Sequence, residues 1–142
     1  MRKKTLKIFI VSAVLFFYFF IPNSFADSMG QSKNFNVDSN YDSVGRSEVV
    51  ATLHYISEKS YFYIEDSWWN SLSSLERSQA EKNFAALGNE FDKVIYPKLT
   101  EFFGGVWEPG IDNDSRITIL MTKLKANTGG YFDSCHQYLK AQ

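Results

Sequence analysis

Metal, thiol and acid–base chemistry each have a candidate in this sequence, and each candidate has a plainer reading beside it. Asp112, Asn113 and Asp114 set polar oxygens ahead of an apolar run, as a calcium loop does when side chains at its first, third and fifth positions converge on a hard cation. Counted from Asp112, the fifth position is Arg116, a cation, while Ile117 and Lys123 stand where the loop's Gly and closing Glu belong. Asp112 and Asp114 are thus calcium candidates beside a simpler expectation, a turn whose Asx side chains bond nearby amides and launch a strand. Cys135 beside His136 pairs a thiol with an imidazole, and Asp133 adds a carboxylate. Adjacent residues seldom bring such groups into productive contact, and a chain end supplies no supporting shell. Neither a nucleophile nor a metal site is expected there.

Glu65 and Asp66 form a carboxylate pair in sequence, but neighbours on a strand point to opposite faces. One should brace the following corner and the other should meet water. Trp68, Trp69 and Trp107, in a chain with 17% aromatic residues, could stack on a sugar. Packing at a strand-to-helix corner is the alternative for the first two.

The elements that must position these groups begin after a leader. Arg2, Lys3, Lys4 and Lys7 give a basic start, and Ile8 to Ile21 is an apolar run interrupted only by Ser12. Pro22 then precedes Ser24-Phe25-Ala26, a small-x-small site, so residues 1–26 are expected to be a secretory signal cut after Ala26. An uncleaved membrane anchor is the alternative. A spanning helix wants about 20 apolar residues, more than this run offers, so no stable span is expected after cleavage.

Without the leader's four basic residues, 11 Lys and Arg face 16 Asp and Glu, a formal net charge of −5. That balance argues against nucleic acid as a partner and favours a soluble exported protein, secreted or periplasmic, from a bacterium. Cys135 is the single cysteine, so no internal disulfide can form and the fold must rest on its core or on metal.

Residues 27–46 are rich in Ser, Asn, Asp and Gly, with few apolar residues to bury, and are expected to be a flexible polar linker or extended arm. Val49 to Ile56 is an expected strand, with a short helix as the alternative, and the aromatic, β-branched Tyr61 to Glu65 is a second strand, central because it is apolar on both faces. Ser73-Ser74-Leu75-Glu76 has capping-box spacing and should start a long helix. Phe84, Leu87, Phe91, Val94 and Ile95 recur at three- and four-residue steps, placing an apolar stripe against the sheet and leaving Glu81, Lys82, Asn89 and Asp92 near solvent. Pro97 should kink or divide the helix, Leu99, Phe102 and Phe103 should continue the stripe, and Gly104-Gly105 should end it. Ile117 to Met121 is a further strand, and Tyr131-Phe132 an edge segment. The fold class is therefore α+β, a small sheet backed by one long kinked helix.

Three blocks, together with Gly129-Gly130-Tyr131-Phe132, carry a likeness. They are Tyr63-Ile64-Glu65-Asp66-Ser67-Trp68-Trp69-Asn70, Glu90-Phe91-Asp92-Lys93-Val94-Ile95-Tyr96-Pro97, and Gly110-Ile111-Asp112-Asn113-Asp114-Ser115-Arg116-Ile117-Thr118-Ile119-Leu120. In that order they resemble the hyicolysin-type neutral zinc metallopeptidases and, more distantly, secreted peptidases of the immune inhibitor A kind. The resemblance covers Val49 to Phe132 and implies the front half of a zincin-like peptidase domain, the region ahead of the catalytic helix.

Such enzymes hold zinc on a His-Glu-x-x-His helix, with histidines four apart on one face and the Glu as general base. This sequence has no such motif, and His54 and His136 are its only histidines. No catalytic residue is carried over, and zinc is expected only in a full-length relative. Residues 47–134 would then be an incomplete α+β peptidase-like domain and residues 135–142 a divergent tail. The expected function is an exported fragment or degenerate copy of a secreted zinc metallopeptidase, inactive alone, with a peptide, a glycan or the missing C-terminal half as partner. The alternative is an independent exported binding module for glycans or calcium.

Overall fold

The computed structural model describes residues 26–108, 110 and 112–132. Most of the leader, the tail from Asp133 onward, and with it Cys135 and His136, lie outside the described residues. Four strands make one sheet in the order β1 (Ser32–Asn36), β2 (Glu48–Ile56), β3 (Ser60–Glu65), β4 (Ile117–Met121). The first two pairings are antiparallel and β3 pairs β4 in parallel, the long connection between them being helical. The architecture is α+β, a small mixed sheet and one long helix.

β3 lies inside the sheet because every residue of Ser-Tyr-Phe-Tyr-Ile-Glu is buried. Period-two alternation divides the residues between the two faces. On one, Ala51, Leu53, Tyr61 and Tyr63 form a cluster that Phe35, Ile56 and Leu120 extend. On the other, Phe62 meets Phe84 of the helix at a 6.4 Å ring separation and Tyr55 at 5.7 Å.

The expected linker is instead part of the sheet. Ser32–Asn36 is the edge strand β1, with Lys33 opposite Ala51 and Phe35 opposite Val49. Main-chain pairing needs no apolar side chains, and one well-placed ring suffices to seat the strand. Phe35 packs edge-on against Tyr63 at 4.9 Å.

α1 (Asp66–Ser71) turns the chain out of β3, and α2 (Ser74–Glu90) starts where its capping box predicts. The Ser73 hydroxyl accepts from the Glu76 amide, and the Glu76 carboxylate accepts from the Ser73 amide at 2.8 Å. Pro97 does not end the helix. Phe91–Ile95 widens into a π-helical turn in which the Tyr96 amide bonds the Phe91 carbonyl, and α3 (Tyr96–Phe103) continues with Pro97 in its first turn, where a missing amide costs little. Gly104, at φ +84°, ends α3 by bonding its amide to the Thr100 carbonyl.

The stripe is shorter than its spacing suggests. Phe84 and Gly88 are buried and Phe91, Val94 and Ile95 half-buried, but Leu87, Leu99, Phe102 and Phe103 are exposed. The sheet is short, and α3 extends beyond its end. Asp92 does not simply face solvent; it accepts from the Ser57 hydroxyl and from the Glu58 and Lys59 amides, tying the helix to the β2–β3 turn. Tyr131 and Phe132 form no strand. Tyr131 stacks on Tyr41 at 4.8 Å and its hydroxyl accepts from the Asp38 amide.

Candidate functional site

Two clusters of buried charge sit at opposite ends of β3. The first is at its C-terminal end, where Glu65 closes the strand and α1 begins. Arg46, from the turn after β1, bonds both Glu65 oxygens with Nη1 and Nη2, while its Nη2 also reaches Asp42 Oδ1 at 2.7 Å. Ser67 and Thr122 donate to the same Glu65 carboxylate, Thr122 at 2.6 Å. Asp42 further accepts the Val44 and Arg46 amides, so its side chain folds the turn around itself. Its bonds from Arg46 hold Asp42 well below the usual carboxylate range against the opposing effect of burial. Burial pushes Glu65 up, but the bonds from Arg46, Ser67 and Thr122 outweigh it and hold the group at about 2. Both carboxylates are therefore charged at neutral pH, and Arg46 is held firmly protonated by them.

The second cluster holds the sequence-predicted calcium residues. Asp114 is buried, and its carboxylate accepts hydrogen bonds from the Tyr61 hydroxyl, from the Arg116 amide at 3.0 Å and from the Arg116 guanidinium at 3.2 Å. Burial raises this carboxyl, and those donors lower it by more. Asp112 is exposed and spends Oδ1 on the Asp114 amide, an Asx turn of the expected kind. Arg116 also bonds the Ser57 carbonyl and lies over the Tyr61 ring. Asp114 thus has its charge matched by Arg116, which occupies the neighbourhood a calcium ion would need.

The carboxylate pair divides only in part as expected. Glu65 braces the corner, but Asp66 opens α1 rather than continuing the strand and, half-buried, accepts from the Thr52 hydroxyl at 2.7 Å instead of simply meeting water. Trp68 and Trp69 are half-buried at that corner. Trp69 packs on the His54 ring at 4.2 Å, and the Arg77 guanidinium lies 5.6 Å from the Trp69 ring centroid. Burial lowers the His54 pKa, although Asp66 and Glu81 nearby oppose the shift. Trp107 is 74% exposed.

A catalytic zinc requires imidazoles converging on one point. His54 is the one histidine among the described residues, and its ring is committed to Trp69. No three His, Cys, Asp or Glu side chains among the described residues gather where they could hold a metal ion. These donors do not fit the peptidase zinc. Nor does any buried side-chain nitrogen or oxygen among them lack a hydrogen-bond partner.

Sequence reasoning overlooked Asp42 and Arg46, and read Asp92 as a solvent-facing residue rather than a tie to the β2–β3 turn. The four-residue spacing of Asp42 and Arg46 was a usable signal, but nothing local announces Glu65 as their partner.

Several large apolar side chains are exposed after the π-helical turn. Phe102 and Phe103 are 81% and 85% exposed, with Leu99, Val106 and Trp107 also open to solvent. Among the described residues no helix is long and apolar enough to cross a membrane. A scan against protein-family models found no match, and a search of curated proteins found none.

Proposed function

We propose that this chain supplies the leading part of an exported α+β domain of the zinc-peptidase kind, contributing sheet and backing helix but no peptide-bond hydrolysis by itself. The observation that carries the reading is the run of exposed large apolar side chains Leu99, Phe102, Phe103, Val106 and Trp107, close together in sequence and open to solvent. β4 adds to it. Ile117, Ile119, Leu120 and Met121 alternate across both faces of a parallel strand that lies at the sheet edge among the described residues. Apolar character on both faces is the mark of an inner strand.

The resemblance of the Tyr63–Asn70, Glu90–Pro97 and Gly110–Leu120 blocks names the domain type, and the leader supports export to the periplasm or medium. The glycan or calcium module has less behind it. Asp114 is already neutralised by Arg116, and two of the three tryptophans are packed at the α1 corner.

Two measurements test the reading. Reading the DNA beyond codon 142 should reveal a His-Glu-x-x-His stretch in some frame. The purified chain should leave casein intact with or without added zinc; hydrolysis abolished by a chelator would overturn the proposal.

A further inference from the structure

The sequence and the hydrogen bonds meet at one peptide bond. Ser24-Phe25-Ala26 sets the expected cut after Ala26. Ala26 is exposed, and the first side chain among the described residues to be tied to the sheet is that of the next residue. Asp27 accepts from Lys33 Nζ with both oxygens at 2.6 Å and from the Tyr63 hydroxyl at 2.8 Å. Its carboxylate is only 10% exposed, and Tyr63 is wholly buried in β3. From there the chain is stitched without a break. Ser28 and Gln31 bond one another, Gly30 donates to the Leu53 carbonyl, and Leu53 donates to that of Gln31.

We propose that, once the leader is cut at the expected Ala26–Asp27 bond, the new chain end is held by the fold, with the Asp27 carboxylate as its anchor. The proposal rests on the export reading, not on the peptidase likeness. Hydrolysis by the exporting cell's leader endopeptidase adds water across this bond. The Ala26 carbonyl carbon gains the water oxygen and leaves as a carboxylate, and the Asp27 nitrogen keeps the electron pair of the broken bond and takes up protons to become an ammonium. A cut one residue later would discard all three carboxylate bonds, and Ala26 itself is exposed. Asp27 crosses from Lys33 on the edge strand to Tyr63 two strands inward, so the anchored end also clamps β1 against the sheet. Charge-assisted bonds of this kind are the stronger ones, and here they protect a terminus that would otherwise fray.

The test expresses the full chain in an exporting bacterium and reads the intact mass and amino-terminal sequence of the exported product. The expected product spans residues 27–142. An exported product with another first residue overturns the processing site; an intact chain retained in the cytosol overturns the export reading itself, and the site with it. The anchor is tested separately by exposing exported wild type, Tyr63→Phe and Lys33→Met to a broad aminopeptidase and following mass with time. Both substitutions leave the cut sequence untouched, and Lys33 is exposed enough that its loss should not unfold the domain. Trimming about tenfold faster or more is expected in each variant, Tyr63→Phe losing one bond to the carboxylate and Lys33→Met both bonds of the ion pair. Equal rates in wild type and Lys33→Met overturn the anchor.

Discussion

Arg46 bridges two buried carboxylates from different parts of the chain, and its removal would leave both without their cation. Breaking such a group by deleting one partner costs about 3 kcal/mol, more than the bonds contribute when whole, because the remaining charges stay desolvated. Arg46→Met should therefore lower unfolding free energy by about 3 kcal/mol in urea titrations. The pH dependence should weaken as well. Glu65 is held at about 2 against an ordinary 4.5, so its stabilisation is complete above pH 4.5 and is lost as pH falls toward 2; Asp42, also lowered, adds to the loss below its ordinary 3.8. Without the Arg46 guanidinium the opposing effect of burial is less offset and both carboxyls should move up, so the variant should lose less stability than wild type as pH falls below 4.5. Parallel pH profiles for the two proteins would show that Arg46 does not set these charges. At this scale the sequence was only half legible. The Asx turn at Asp112 and Asp114 could be read because its partners are local, whereas the Arg46–Glu65 pair joins residues 19 apart and exists only once the sheet has formed.

Elements were easier to read than partners, since caps and periodicity act within a few residues. The Ser73–Glu76 box and the aromatic run of β3 declared themselves for that reason. β1 did not, because its edge position asks for backbone pairing more than for apolar side chains, and a polar composition looks the same in a linker. The π-helical turn likewise answers a conflict between Pro97 and a helix that Asp92 pins to the β2–β3 turn. Where α2 crosses β2, Gly88 permits the contact. A Cβ there would lie 2.6 Å from Tyr55 Cε1 and 3.2 Å from Ser57 Cβ. Alanine gains about 1 kcal/mol in helix propensity, but overpacking at a buried crossing costs about 1–3 kcal/mol and displaces the Tyr55 ring from Phe62. Gly88→Ala should therefore lower the thermal midpoint by several degrees despite being a better helix former. A raised midpoint would mean that the helix can move away from β2 freely.

The whole molecule presents a contradiction between its two ends. Near Glu65 charges are matched and turns are tied, while beyond Ile95 the helix carries its apolar face into water. α3 is strongly amphipathic, and Leu99, Phe102 and Phe103 lie on the side that the proposed remainder of the domain would cover. Such exposure should make the isolated chain bind a hydrophobic dye and self-associate at micromolar concentration, although its sheet is folded. Replacing Phe102 and Phe103 together by Ser separates exposure from stability. Each ring is more than four-fifths open, so little burial is lost and unfolding free energy should change by no more than about 1 kcal/mol for the pair. Dye fluorescence should fall severalfold, and the elution volume on a sizing column should move to that of a monomer. If the double variant instead unfolds, the rings support the core and the surface is not a vacant interface. If it stays folded but binds dye and associates as before, the uncovered region lies elsewhere, with the outer edge of β4 the next to alter.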